Sequence, residues 1–298
     1  MFARFRRALS RLTLKPATLA LALVLGLSVP AAAEPALWKI QGPHATIYLF
    51  GTIHVLKPNL GWESPRIATA LKDSGSLWLE VNNADDPAVM QPLVMKYGLD
   101  PAHPLSTKLD AGSKAKLAAL LTPLGVTPAQ FEPFRPWMAA TAITVLPIVK
   151  AGYNLDSGAE HVVTAEMKTA NKPVLGFETA EEQIRYLADT PPEVELAFFK
   201  SSLDEAEKAV PMIDDMVSSW MAGDETKLEE VLNADIKDDY PDLYQRLIVA
   251  RNRRFAAQIA KLAQGEGTVF VAIGAAHLVG ADSVQADLKG MGIEAVRQ

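Results

Sequence analysis

The sequence predicts an α/β protein: a mixed, mostly parallel sheet built from the N- and C-terminal segments, with a helical central insertion. Three observations carry this. Apolar runs rich in β-formers cluster near the two ends of the chain. From Thr46 the order is strand, helix, strand, which favours parallel pairing through a crossover. The long middle, about 86–172 and 190–264, reads as mainly helical.

Leu37-Trp38-Lys39-Ile40 and Thr46–Phe50 flank Gln41-Gly42-Pro43-His44-Ala45, the pattern of a hairpin with a five-residue loop. Ser64-Pro65 places a cap before a proline at the first helical position, so a helix runs to about Asp73. Leu77–Val81 follows as a strand. Prolines from Pro101 to Pro147 punctuate the first helical stretch, and Pro173–Glu178 is the next strand. Thr179 caps a helix through Leu187, and Glu182 completes a capping box. Pro191–Ala263 is charged and amphipathic, with breaks near Gly223 and Pro241. Thr268–Ile273 is an apolar strand, Asp282–Lys289 a short helix and Ile293–Arg297 a last strand. No repeat of the solenoid kind is present.

Residues 1–33 read as a secretory signal peptide. Arg4, Arg6, Arg7, Arg11 and Lys15 precede the apolar run Ala17–Val29, and Ala31-Ala32-Ala33 supplies the cleavage signal, with the cut after Ala33. The run is short of the roughly 20 residues of a membrane span. The expectation is a periplasmic or secreted single domain over 34–298 with no membrane span in the mature chain. The 298-residue chain carries a formal charge of −6, and the head holds basic residues without an acid, so the remainder is more acidic still. Nucleic acid is therefore a poor partner, because phosphate contacts need clustered Lys and Arg. The absence of cysteine excludes thiolate zinc sites, iron–sulfur clusters and a cysteine nucleophile. There is no HExxH, Gly-x-Ser-x-Gly or P-loop. Nothing in the sequence fixes an oligomeric state.

Two of the five histidines share one setting. Gly51-Thr52-Ile53-His54 follows one strand and Gly274-Ala275-Ala276-His277 another. Glu80 lies late in its strand and Glu178 ends its own, so a parallel sheet would gather all four at the carboxyl edge, where sites form in open α/β sheets. Two imidazoles and two carboxylates suit a divalent metal with open positions. Gly51 and Gly274 would let the backbone turn or approach a ligand closely. Each residue has a bland reading too: a packed core histidine, a solvent-facing edge for Glu80, a helix-entry carboxylate for Glu178, a charged helix face for Arg251 and Asn252, capping for Asp156 and Glu160. His44, His103 and His161 read as structural.

The Leu37–Ile40 and Ile47–Leu56 segments, Leu77–Val81, Gly176–Gln183, Arg251-Asn252 and Val269–Gly280 together resemble the blocks of the TraB/GumN family, closest to its secreted bacterial GumN-like branch. That family is similar to the Tiki metalloproteases, which use manganese or cobalt. The resemblance implies a metal centre on His54, His277, Glu80 and Glu178, with Glu80, Glu178 and Arg251 in catalysis and Gly51, Gly274 and Asn252 in support. Arg251 would stabilise an oxyanion or hold a substrate carboxylate. The expected activity is a metal-dependent hydrolase, a peptidase before others, using Mn, Co or Zn on a peptide or protein substrate. The alternative is a non-catalytic periplasmic binding protein for a peptide, small ligand or heme, linked to exopolysaccharide export.

Overall fold

A computed structural model describes residues 34–298; residues 1–33, which the sequence predicts to be a signal peptide, lie outside them. Six strands form one sheet: β1 (Leu37–Gln41), β2 (Ala45–Thr52), β3 (Ser76–Leu79), β4 (Val174–Gly176), β5 (Gly267–Gly274) and β6 (Ala295–Arg297), in the order β4-β3-β5-β2-β1-β6. β4, β3, β5 and β2 are parallel, and β1 runs against both β2 and β6. The sheet is thus mixed and mostly parallel, built from both ends of the chain, as the sequence predicts. The hairpin is tighter than five residues. Gln41 already pairs with Thr46, and Gly42 N–H donates to Ala45 O at 2.8 Å, so only Gly42–His44 turn.

β5 lies between β2 and β3. It is buried continuously from Val269 to Gly274, as a parallel strand covered on both faces must be. One face packs Phe50, Leu77 and Phe270 against Ile67, Val163 and Trp220 from three helices. The other packs Ile40, Leu49 and Val271 against Phe255, Ala256 and Ile259 of the helix Ala250–Ala263. Burying one such side chain contributes about 1.5–3 kcal/mol. A separate cluster around Leu117, Phe131, Ile143 and Phe199 gives the central insertion its own core.

The middle folds largely as predicted. Ser64 caps the helix Pro65–Asp73, with Pro65 at its first turn. Thr179 and Glu182 form a capping box on the helix Ala180–Ala188. The expected break at Gly223 is a left-handed cap at φ 63°, and Pro241 opens a short helix. A wide π turn over Gln245–Val249 precedes Ala250–Ala263, a device often found beside functional residues. The last helix runs Val284–Gly290, capped by Ser283. Among the described residues, no helix is long and apolar enough to cross a membrane.

Candidate active site

The carboxyl edge of the parallel strands collects the predicted side chains. Glu80 and Glu178 lie just past β3 and β4, where the ladder continues beyond the regular strands: Phe177 N–H donates to Leu79 O at 2.9 Å and Glu178 N–H to Glu80 O at 2.8 Å. The two carboxylates therefore leave adjacent chains side by side. His277 sits in the single turn Ala275–Leu278 that follows β5. His54 lies two residues beyond β2. There Leu56 pairs with Asn154, and Ala159 N–H donates to Ile53 O at 3.0 Å. That clamp brings the start of the helix Ala159–Thr169 against His54.

Arg251 stands at the middle of the cluster, two residues after the π segment, and its side chain is 7% exposed. Its Nε and Nη2 donate to Glu178 Oε2 at 3.0 and 2.9 Å, and Nη2 also donates to Glu80 Oε2. Its Nη1 reaches His277 Nε2 at 3.0 Å and Leu247 O at 3.2 Å. Glu178 receives two further donors, Tyr186 Oη at 2.8 Å and Arg254 Nη2 at 3.0 Å. The guanidiniums of Arg251 and Arg254 both lie over the Tyr186 ring, 5.2 and 5.4 Å from its centre. Glu80 is held by Gly274 N–H at 2.7 Å and Gln183 Nε2 at 2.9 Å. Every carboxylate oxygen of the pair is thus hydrogen-bonded, which is the condition for keeping such charges buried. Burial alone would raise the Glu80 pKa. The Arg251 guanidinium, His54 and the Gly274 N–H outweigh it and hold the carboxyl well below its usual range.

His277 is buried, and its Nδ1 faces Asn252 Oδ1 at 2.6 Å. Asn252 is oriented in turn by donating from Nδ2 to Asp282 O at 2.6 Å. The amide oxygen can only accept, so Nδ1 carries the proton and Nε2 presents a lone pair to Arg251. Burial lowers its pKa to about 4; Arg251 works in the same direction and Glu80 against it.

Gly274 shows why the site needs glycine. A Cβ there would fall 2.9 Å from Glu80 Oε1 and 3.7 Å from both His277 Cδ2 and His54 Nε2. The residue reserves space rather than turning the chain, since its φ is −51°. Gly51 lies inside β2, close to the Ala275 backbone, and likewise serves approach rather than turning. The two histidines from opposite ends of the chain therefore converge on one point, with Glu80 beside them. Glu178 is set apart from that point by Arg251.

His54 differs from His277 in being open, with its side chain 61% exposed. Its Nδ1 pairs with Glu160 Oε1, whose second oxygen Oε2 is buried and has no partner among the described residues. Desolvation by the surrounding protein opposes charge on His54 only weakly at an exposed ring; the Glu160 carboxylate outweighs it and raises the pKa, and water screens that pairing. The His54–Glu160 pair forms part of an open cleft of about 750 Å³ floored by Glu80 and Gly274. Asp85, Asp86 and Asp156 line it with Leu155 and Met90, and no Lys or Arg is among its lining residues.

A match to the TraB/PrgY/gumN family spans residues 36–297. The chain belongs to the TraB/PrgY/gumN family. It is similar to an uncharacterized protein of Treponema pallidum (strain Nichols), 24% identical over 84% of this chain and 79% of that protein. It is also similar to the uncharacterized protein YbaP of Escherichia coli (strain K12), 23% identical over 78% of this chain and 84% of YbaP. No solved structure matches the chain.

Sequence reasoning on this TraB/PrgY/gumN chain singled out His54, His277, Glu80, Glu178, Arg251 and Asn252, and the fold brings all six into one cluster. It read Glu160 as a capping residue and His161 as structural; both line the cleft. Glu160 does lie in the first turn of its helix, but its carboxylate is turned to His54. Gln183, Tyr186 and Arg254 carried no local signal, although Gln183 closes the Gly176–Gln183 block.

The fit of a divalent cation is tested by the donors. His54 Nε2 and Glu80 Oε1 border the space beside Gly274 and are a suitable pair in kind. His277 joins them only by exchanging its contact with Arg251, and both oxygens of Glu178 are already taken. Among the described residues, no three His, Asp or Glu groups are gathered at ligating separation, so closure on an ion requires side-chain movement.

Proposed function

We propose that this protein is an exported hydrolase of peptide bonds that works with a divalent cation, Mn, Co or Zn, held by His54 and Glu80. The observation that carries this is the meeting of His54 and Glu80 beside Gly274 in the lining of an open cleft, with the buried His277 behind them. Such a cation supplies a carbonyl polariser and lowers the pKa of water. The chain's own residues do the rest. Glu160 fixes the His54 ring through Nδ1, the outer partnership that commonly orients a ligating imidazole. Gly274 N–H and Gln183 hold Glu80 in place. The acidic cleft with its Leu155 and Met90 wall suits a peptide bearing basic and apolar side chains. The basic, apolar leader in residues 1–33 supports export.

The His54–Glu160 pair favours a second reading. An exposed imidazole with a carboxylate on Nδ1 is also the arrangement of a general base needing no metal. One experiment separates the two. Residues 34–298 are incubated with a mixed peptide library, with and without chelator, and products are read by mass spectrometry. Cleavage lost on chelation, restored by Mn, Co or Zn and absent in His54→Ala supports the first reading. Chelator-insensitive cleavage lost in both His54→Ala and Glu160→Gln supports the second. Ligand retention without any product would point to a binding protein and overturn both.

A further inference from the structure

Arg251 offers no free face to a substrate. Its side chain is 7% exposed, it is absent from the cleft lining, and its donors are committed to Glu178, Glu80, His277 and a backbone carbonyl. An oxyanion or a substrate carboxylate would have to compete with two buried carboxylates for the same hydrogens. What the guanidinium does instead is fill the space shared by Glu80, Glu178 and His277, the volume that a two-histidine, two-glutamate metal set would need.

We infer that Arg251 is the resident cation of this centre: a positioning residue that keeps Glu178 out of any metal set, confines an added ion to the cleft side at His54 and Glu80, and holds the two glutamates together when no ion is bound. The surroundings support a permanent cation. Tyr186 and Phe255 offer ring faces to the guanidinium at 5.2 and 5.3 Å, and the planar fork reads Glu178 through two nitrogens. Arg254 and Tyr186 close the remaining oxygen of Glu178 from the outside. A metal entering between the glutamates would meet a like charge in a buried setting, where such repulsion is poorly screened. This inference rests on the metal reading only for the ion on the cleft side.

The test is metal binding rather than turnover. Mn²⁺ and Zn²⁺ are titrated calorimetrically into residues 34–298, into Glu178→Gln and into Arg251→Met, with thermal melts run in parallel. Glu178→Gln in the otherwise intact protein is expected to leave metal affinity within about threefold, because that carboxylate is not a ligand. Arg251→Met is expected to melt lower without metal. It should bind the ion at least about tenfold more tightly, with its melting temperature raised by metal more than that of the parent, as the repulsion is removed and two carboxylates are exposed. Adding Glu178→Gln to Arg251→Met should abolish that gain, which a merely structural role for Arg251 would not predict. A large loss of affinity in Glu178→Gln alone would overturn the inference, even if Arg251→Met does not fold. So would a folded Arg251→Met with no gain. If the parent protein binds neither ion, the metal reading above falls, and the Arg251→Met comparison still decides the role of Arg251.

Discussion

At His54 one contact sets the chemistry. Glu160 occupies Nδ1, so the ring turns Nε2 toward Gly274 and the cleft. Glu160→Gln keeps the shape and loses the charge. It should lower metal affinity about 10–100-fold, as loss of an outer partner typically does, while leaving the melting temperature near that of the parent. Isothermal titration alongside a thermal melt reads both; an unchanged affinity would separate Glu160 from the site. At Arg251 the consequence is stability. Arg251→Ala leaves two buried carboxylates facing each other without their counter-charge, so a cost of about 3–5 kcal/mol is expected in urea denaturation. Arg251→Lys should recover only part of it, since a point charge cannot serve both glutamates in the same plane.

The elements that deliver these side chains are fixed by short local devices. Gly158 is one. A Cβ there would fall 2.3 Å from His54 O, so only glycine lets the helix Ala159–Thr169 start against the segment after β2. Its φ is −56°, so the requirement is space and not conformation. Gly158→Ala is therefore expected to push that helix away from His54, costing about 1–3 kcal/mol by overpacking and weakening metal binding together. Equal stability and equal affinity in the variant would show that the clamp is not needed. The capping box of Thr179 and Glu182 acts at the other side of the centre. It sets the helix from which Gln183 holds Glu80 and Tyr186 holds Glu178. Thr179→Ala should cost about 1 kcal/mol, and the loss should be smaller in a Tyr186→Phe background if the two act through the same helix.

For the molecule as a whole, the sheet is legible in the sequence chiefly through its inner strand β5, which is buried on both faces and so reads as an unbroken apolar run, Val269–Ile273. The duplicated Gly-x-x-His phrase was legible because glycine and histidine stand out at the ends of such runs. Glu160, Gln183, Tyr186 and Arg254 were not. Each lies on an amphipathic helix where a polar residue is the usual solvent-facing choice, and only the packing of that helix on the sheet edge tells which one turns inward. The way the ends of the chain meet leads to a last expectation. β2 and β3 do not touch each other; each pairs with β5, which arrives more than 180 residues after β3 in the chain. A chain ending at Gly265 therefore lacks the strand that joins them, and Phe50 and Leu77 lose Phe270 between them. The insertion keeps its own core of Leu117, Phe131, Ile143 and Phe199. The truncated protein should thus retain helical far-ultraviolet dichroism from the insertion yet lose the cooperative melt of the parent and all metal binding. If it melts cooperatively at the parent's temperature, β5 is not what unites the fold. If it shows no helix at all, the insertion depends on the sheet for its own folding.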